Sequence, residues 1–349
     1  MVRVVLLGLD GFPLGHVRPE ITPTLWRLAG DGAGGGERLT GTCALPATTY
    51  PSFASLLTGA SPSTHGVWVT HPRPNAPAWA AVQRVTVPTL LDRAHAAGLT
   101  ARAVLGDHHL AAVLAIPPRV LAWPPDGQPP AGTPLDAHGY ATNGAVRPHL
   151  LEAAADPSVD LLFAHLNEAD TVGHDSGPDS RVTRDVAMAT DRLLAELVDA
   201  MAPLWDRSVL VITSDHDMER RADRPLITLM PGPLDGLANE MVADAGAAVI
   251  RPLAGCTEAL VQSVREVDGV RSVEAVPDGY VVAGAEPGRI FAGTPLRPYL
   301  GVHGSPSTAW TLAIAAGGSR AVNGLLSSDG RTRPGTAWAP MLAAALGIG

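Results

Sequence analysis

The sequence predicts an α/β fold: a mostly parallel central sheet with helices on both faces. Three observations predict it. Apolar runs at residues 2–9, 159–166 and 208–213 are rich in branched residues and lack polar alternation, as strands buried on both faces do. Segments of helical pattern separate them, and strand–helix–strand alternation is the signature of crossover-connected parallel strands. At 349 residues the chain can bury a sizeable core.

The elements follow in order. Residues 2–9 form the first strand, closed by Asp10-Gly11. Residues 23–29 form a short helix with Thr22 as N-cap and Pro23 at its first position. The glycine cluster 30–36 is a loop. Residues 51–58 are a helix ended by Gly59, and 87–97 an amphipathic helix ended by Gly98. Residues 100–105 form a strand, and the proline-rich stretch 116–134 reads as a loop. A helix at 145–155, the strand 159–166, a long helix at 179–202 and the strand 208–213 come next. Residues 226–230 read as a further strand. A helix at 257–267 precedes short strands near Val270 and Tyr280. A strand at 310–316 and a helix at 336–346 complete the chain. Residues 1–349 thus read as one domain, with the irregular segment 219–300 as an inserted lobe.

Composition narrows the partners. A formal net charge of −9 argues against a nucleic-acid polymer or an anionic membrane. It leaves room for a small anionic ligand beside bound cations. Two cysteines, Cys43 and Cys256, imply no disulfide framework. The N-terminus runs straight into a strand without a signal-like apolar region, and no stretch is long and apolar enough to span a membrane. A cytoplasmic protein is the expectation.

Chemistry-bearing residues cluster at strand ends. Asp10 follows the first strand, Asp170 and His174 follow 159–166, and Asp215 and His216 follow 208–213. Ligands of open α/β sheets bind at the carboxyl ends of strands, so distant segments deliver oxygen and nitrogen donors to one edge. Asp170 and His174 share a face if DTVGH is helical; Gly173 makes a loop equally acceptable. Carboxylate with imidazole suits zinc or another borderline divalent ion. Asp215 and His216 can serve one ion only from an irregular turn, because neighbours in a strand point to opposite faces. His303 is a sixth candidate ligand. Thr48 and Thr49 precede the helix at 51–58, and either hydroxyl could cap that helix or attack a phosphorus held at its N-terminus. A cation beside the hydroxyl would activate it, and a second ion about 4 Å away would grip the displaced oxygens.

Other residues have plainer readings. His65 reads as structural, in the turn after a helix, and His108-His109 as a solvated loop. Cys43 reads as a small buried side chain. Trp68 and Trp79 read as core or cleft filler, with stacking on a base as the functional alternative.

The motifs LLGLDG at 6–11, ATTYPSFASLLTG at 47–59, STHGVW at 63–68, NEADTVGHDSGPDS at 167–180, TSDHDM at 213–218 and GVHGSPS at 301–307 occur in an order that resembles the alkaline phosphatase superfamily. The resemblance is to its type I phosphodiesterase/nucleotide pyrophosphatase branch. It implies an enzyme that hydrolyses phosphodiester or pyrophosphate bonds of a small phosphorylated substrate such as a nucleotide, with phosphomonoester hydrolysis as the alternative. It implies two divalent ions, zinc or else manganese: one on Asp170, His174 and His303, the other on Asp10, Asp215 and His216. Thr49 fits the family's T-x-P pattern and would become a transient phospho-threonine. The sulfatase pattern C-x-P-x-R does not fit, since Thr49 stands at its cysteine and Phe53 at its arginine. Within the branch, Ser52 replaces the asparagine that helps hold a phosphate oxygen, Asp217 replaces a glycine, and HGSP replaces HGYDN. These differences concern the substrate more than the metals.

Overall fold

The computed structural model describes residues 2–30, 37–70, 78–81, 84–294, 297–325 and 332–349. Beyond Gly30, the expected glycine loop 30–36 lies outside the described residues. Among the described residues eight strands form the main sheet. From edge to edge they are Arg333–Pro334, Glu37–Thr42, Trp310–Ala316, Ser208–Ser214, Arg3–Leu9, Leu161–Leu166, Ala101–Leu105 and Leu121–Trp123. Only Trp310–Ala316 runs against the others. The sheet is therefore mostly parallel, as its unbroken apolar strands require.

Arg3–Leu9 is central and entirely buried. Odd and even positions feed opposite faces. Val4 and Leu6 join Phe53, Leu57 and Trp338 on one side. Val5, Leu7 and Leu9 join Leu25, Leu194 and Leu197 on the other. The polar residue at the start of this strand is also buried: Arg3 donates to the carbonyls of Val159 and Ala153, at 2.9 Å each. The helix Arg181–Met201 lays its apolar stripe on the second face, its N-terminus capped by Ser180 accepting from the Thr183 amide.

Three local expectations change. The helix expected over 87–97 is Leu90–Ala96, because Thr89 and Asp92 form a reciprocal capping box that fixes its start. The stretch 116–134 contains the short edge strand Leu121–Trp123, which pairs with Ala101–Leu105. Residues 226–230 form no strand; a single parallel bridge joins Ile227 to Phe291. The structure adds Glu37–Thr42, which local pattern did not reveal because its partner is Trp310–Ala316, far along the chain.

Within 219–300, four antiparallel strands lie in the order Val270–Ala275, Val281–Ala285, Ala247–Pro252 and Ala238–Asp244. The helix Thr257–Arg265 packs Leu260 and Val264 against Ile250, Val281 and Phe291. A two-stranded antiparallel ribbon, Glu219–Arg220 with Gly301–Val302, brings the chain into and out of this segment. Among the described residues no helix is long and apolar enough to cross a membrane.

Candidate metal centre and substrate cavity

Asp10 ends the central strand, its amide bonded to the Leu166 carbonyl at 3.0 Å. Gly11 then turns with φ +53°, and its amide donates to Asp215 Oδ1 at 3.0 Å. A Cβ on Gly11 would stand 2.8 Å from Asp170 Oδ1, so the turn requires glycine. Asp170 and His174 ride on the helix Glu168–Ser176, one turn apart on one face, and Gly173 is part of it. Of the two arrangements left open by sequence, the helix forms. Asp215 and His216 occupy the irregular turn after Ser208–Ser214.

Ring tautomers define what these histidines offer. His174 Nδ1 faces the Gly301 carbonyl at 2.9 Å, His216 Nδ1 the Asp217 carbonyl at 3.0 Å, and His303 Nδ1 the Ala47 carbonyl at 3.2 Å. A carbonyl only accepts, so each Nδ1 carries the proton and donates it. In the neutral rings every Nε2 then presents a lone pair inward. His303 Nε2 and His174 Nε2 stand 3.2 Å apart, and Asp170 Oδ1 lies 3.4 Å from His174 Nε2. Asp215 Oδ2 is 3.2 Å from His216 Nε2, and Asp10 Oδ1 is 3.6 Å from it. Lone pairs and carboxylates aimed at one another repel unless cations sit among them.

Among the described residues three groups have donor atoms within 4.8 Å of one another: Asp170, His174 and His303, then Asp10, Asp170 and His216, and separately Asp107, His108 and His109, of which His109 is exposed. Asp170 belongs to the first two. Asp170 Oδ1 and Asp215 Oδ2 are buried without a hydrogen bond. Burial, then Asp215, Asp170 and Asp107, hold the Asp10 carboxyl well above the usual carboxylate range; burial also raises that of Asp215. Divalent ions would satisfy these orphaned oxygens and reverse both shifts. The donor set fits hard or borderline cations.

Thr49 opens the helix Thr49–Thr58, and Thr48 precedes it as the cap residue. Thr49 Oγ1 donates to Asp10 Oδ1 at 3.3 Å and lies 3.4 Å from His216 Nε2. Ser52 sits in the same first turn, buried, and is not part of the cavity wall.

Two residues not singled out by sequence complete the support. His165 Nε2 meets Asp10 Oδ2 at 3.0 Å, while its Nδ1 accepts the Asp107 amide at 3.2 Å. Its proton therefore sits on Nε2 and orients Asp10. Burial lowers the His165 pKa to about 3, so the ring is neutral. Burial raises Asp107 to about 7. The sequence signal for His165 was one imidazole inside the otherwise apolar run LLFAHL at 161–166.

A cavity of about 430 Å³ opens over Asp10, Thr49, Asp170, His174 and His303. His109, Tyr140 and Asn167 form part of one wall, and Arg221, Arg297 and Tyr299 part of another. His109 lines the cavity from an exposed turn, in keeping with the solvated loop expected for it, and His108 beside it is half-buried. His65 is buried at the end of the helix Pro62–His65 and bonded to Ser55 Oγ at 3.0 Å. Cys43 is half-buried, and burial pushes its thiol up to about 12. Trp68 and Trp79 pack on Tyr280, away from the cavity lining.

The family model described as Type I phosphodiesterase / nucleotide pyrophosphatase matches residues 4–259. Human ectonucleotide pyrophosphatase/phosphodiesterase family member 7 is 33% identical over 87 residues, 24% of this chain and 19% of that protein. An uncharacterized pyrophosphatase/phosphodiesterase of Schizosaccharomyces pombe is 25% identical over 252 residues, covering 65% of this chain and 47% of its own length. These matches span less than half the length of the curated relatives. Among solved structures, an inactive murine ectonucleotide pyrophosphatase/phosphodiesterase 5 in complex with AMP superposes with a TM-score of 0.71 at 18% identity, covering 100% of this chain and 96% of that one. Phosphonoacetate hydrolase from Sinorhizobium meliloti, in complex with phosphonoacetate, gives 0.70 at 16% identity, covering 99% and 96%. Both share the fold.

Proposed function

The chain belongs to the type I phosphodiesterase/nucleotide pyrophosphatase family, and from that premise we propose that it hydrolyses ester or anhydride bonds of a small phosphorylated substrate at a two-metal centre. Asp170, His174 and His303 would hold one ion, and Asp10, Asp215 and His216 the other. Zinc suits the imidazole-rich set, and manganese is the alternative. When bound, the ions supply charge neutralisation for the phosphoryl oxygens and lower the pKa of the attacking hydroxyl.

The chain's own residues do the rest. Thr49 Oγ1 attacks phosphorus, and a Thr49 Oγ1–P bond forms as the P–O bond to the leaving group breaks. The threonine proton passes toward Asp10 Oδ1, its partner in the structure. The leaving group departs with the bonding pair and takes a proton from solvent. Water then attacks that phosphorus, the Thr49 Oγ1–P bond breaks, phosphate or, from a diester, its monoester leaves, and Oγ1 regains a proton. His165 keeps Asp10 aimed at Oγ1. Residues 219–300 act as an inserted lobe that supplies the Arg221–Arg297–Tyr299 side of the cavity.

The observation that carries this reading is the convergence of inward-facing imidazole nitrogens and orphaned carboxylate oxygens around one threonine hydroxyl. The AMP in the murine relative and the phosphonoacetate in the bacterial one are both small phosphorus acids, which agrees with the size of the cavity. Turnover of p-nitrophenyl phosphate, bis(p-nitrophenyl) phosphate and thymidine p-nitrophenyl monophosphate, before and after chelation, tests it. Thr49→Ala is expected to lower kcat at least about a thousandfold while two metals per chain remain bound. Undiminished turnover by that variant would remove Thr49 from the mechanism.

A further inference from the structure

Two guanidinium groups face the same cavity as the metal ligands. Arg221 stands five positions after His216, and Arg297 six positions before His303. Backbone pairing places Arg221, and its side chain reaches Arg297. The Arg221 amide donates to the Leu300 carbonyl at 2.8 Å, Arg220 pairs with Gly301, and Arg221 Nη1 donates to the Arg297 carbonyl at 3.3 Å. The ribbon is also tied to the ligands: the Leu300 amide donates to the His174 carbonyl at 2.8 Å, and His174 Nδ1 donates to the Gly301 carbonyl. Arg221 is therefore indexed to the metal ligands through the main chain, and Arg297 through the Arg221 side chain.

Among the described residues neither arginine forms an ion pair with a carboxylate. The lining carboxylates are otherwise engaged. Asp10 and Asp170 belong to the metal sets, Asp244 Oδ2 accepts the Thr70 amide at 2.8 Å, and Asp107 is bound by the His109 amide at 2.8 Å. Among the described residues the tyrosine rings lining the cavity are engaged with histidines, Tyr140 edge-on with His109 at 6.3 Å and Tyr299 with His174. Tyr299 lies flat on the His174 ring, with centroids 4.4 Å apart and planes at 28°, and Arg297 is 6.0 Å from its centroid. Trp68 and Trp79 are absorbed by Tyr280, and Trp79 Nε1 donates to Glu240 at 3.0 Å.

Resting on the two-metal reading above, we infer that Arg221 and Arg297 bind a second anionic group of the substrate, distinct from the phosphorus attacked by Thr49. The substrate is then a compact phosphorus compound with an anionic tail, a phosphate or a carboxylate, in place of one recognised through a nucleobase. Forked guanidinium donors suit either group, and an anion beside two cations in a partly enclosed site is held far better than on open surface.

The test separates binding from turnover. Thr49→Ala protein loaded with zinc is titrated calorimetrically with inorganic pyrophosphate, phosphoglycolate and phenylphosphonate, alone and with Arg221→Ala or Arg297→Ala added. Each arginine change is expected to weaken pyrophosphate, phosphoglycolate or both at least tenfold, and phenylphosphonate less than threefold. Loss confined to pyrophosphate identifies a phosphate tail, and loss confined to phosphoglycolate a carboxylate tail. Equal loss across all three ligands, no loss in any, or binding of none overturns the inference. The hydrolase reading fails on a different result: wild-type protein that turns over neither these phosphate compounds nor the p-nitrophenyl esters.

Discussion

At the scale of single residues, protonation states decide what the site can do. Three Nδ1 atoms donate to carbonyls, which leaves three Nε2 atoms for metal. His303→Ala is expected to lower bound metal from two ions to one per chain; metal analysis showing two would contradict that ligand set. His65 is the contrasting histidine. Its Nδ1 accepts the Val67 amide at 3.1 Å, its Nε2 bonds Ser55, and burial lowers its pKa to about 4. Between that value and the usual histidine range the unfolded chain binds a proton that the folded chain refuses. Stability therefore rises with pH across this window and is lost as pH falls, by about 3 kcal/mol in full. His65→Asn keeps an acceptor for the Val67 amide and removes the titration. Its urea stability should fall less steeply between pH 7 and 5 than that of the wild type; parallel curves would remove His65 from the acid response. Most candidate ligands were legible because strand ends and helix starts leave marks in sequence. His165 and Arg297 were not, since their roles depend on partners far along the chain, 155 positions for His165 and Asp10 and 76 for Arg297 and Arg221.

At the scale of elements, the helix Glu168–Ser176 and the ribbon Gly301–Val302 touch with almost no room. A Cβ on Gly301 would stand 2.2 Å from the Gly173 carbonyl oxygen. Gly301→Ala should therefore force the ribbon away from His174, costing about 1–3 kcal/mol. Unchanged urea stability would show that the ribbon yields freely. The long buried strands and the long amphipathic helix were readable from local pattern, because two-sided burial and a helical stripe each impose a period. Glu37–Thr42 and Leu121–Trp123 were not, because both lie toward the edges of the sheet and owe their conformation to neighbours.

At the scale of the whole molecule, buried carboxylates gathered from three crossover units set a large part of the electrostatic strain. Ions that bind only the folded chain stabilise it by mass action, about 4 kcal/mol at a thousandfold excess over Kd. Chelation is expected to lower the melting temperature by several degrees, and added zinc or manganese to restore it. Identical melting curves with and without chelator would deny the centre its structural share. The reversed strand has a consequence of another kind. Trp310–Ala316 sits between Glu37–Thr42 and Ser208–Ser214, so an emerging polypeptide holds the earlier two apart until the ribosome has passed the later one. Among the described residues Glu37–Thr42 pairs with Trp310–Ala316 and Arg333–Pro334, segments made long after it. The sheet therefore closes only after Trp310–Ala316 has been made, with the hydrogen-bonding edge of Ser208–Ser214 exposed to chaperones or to misassembly meanwhile.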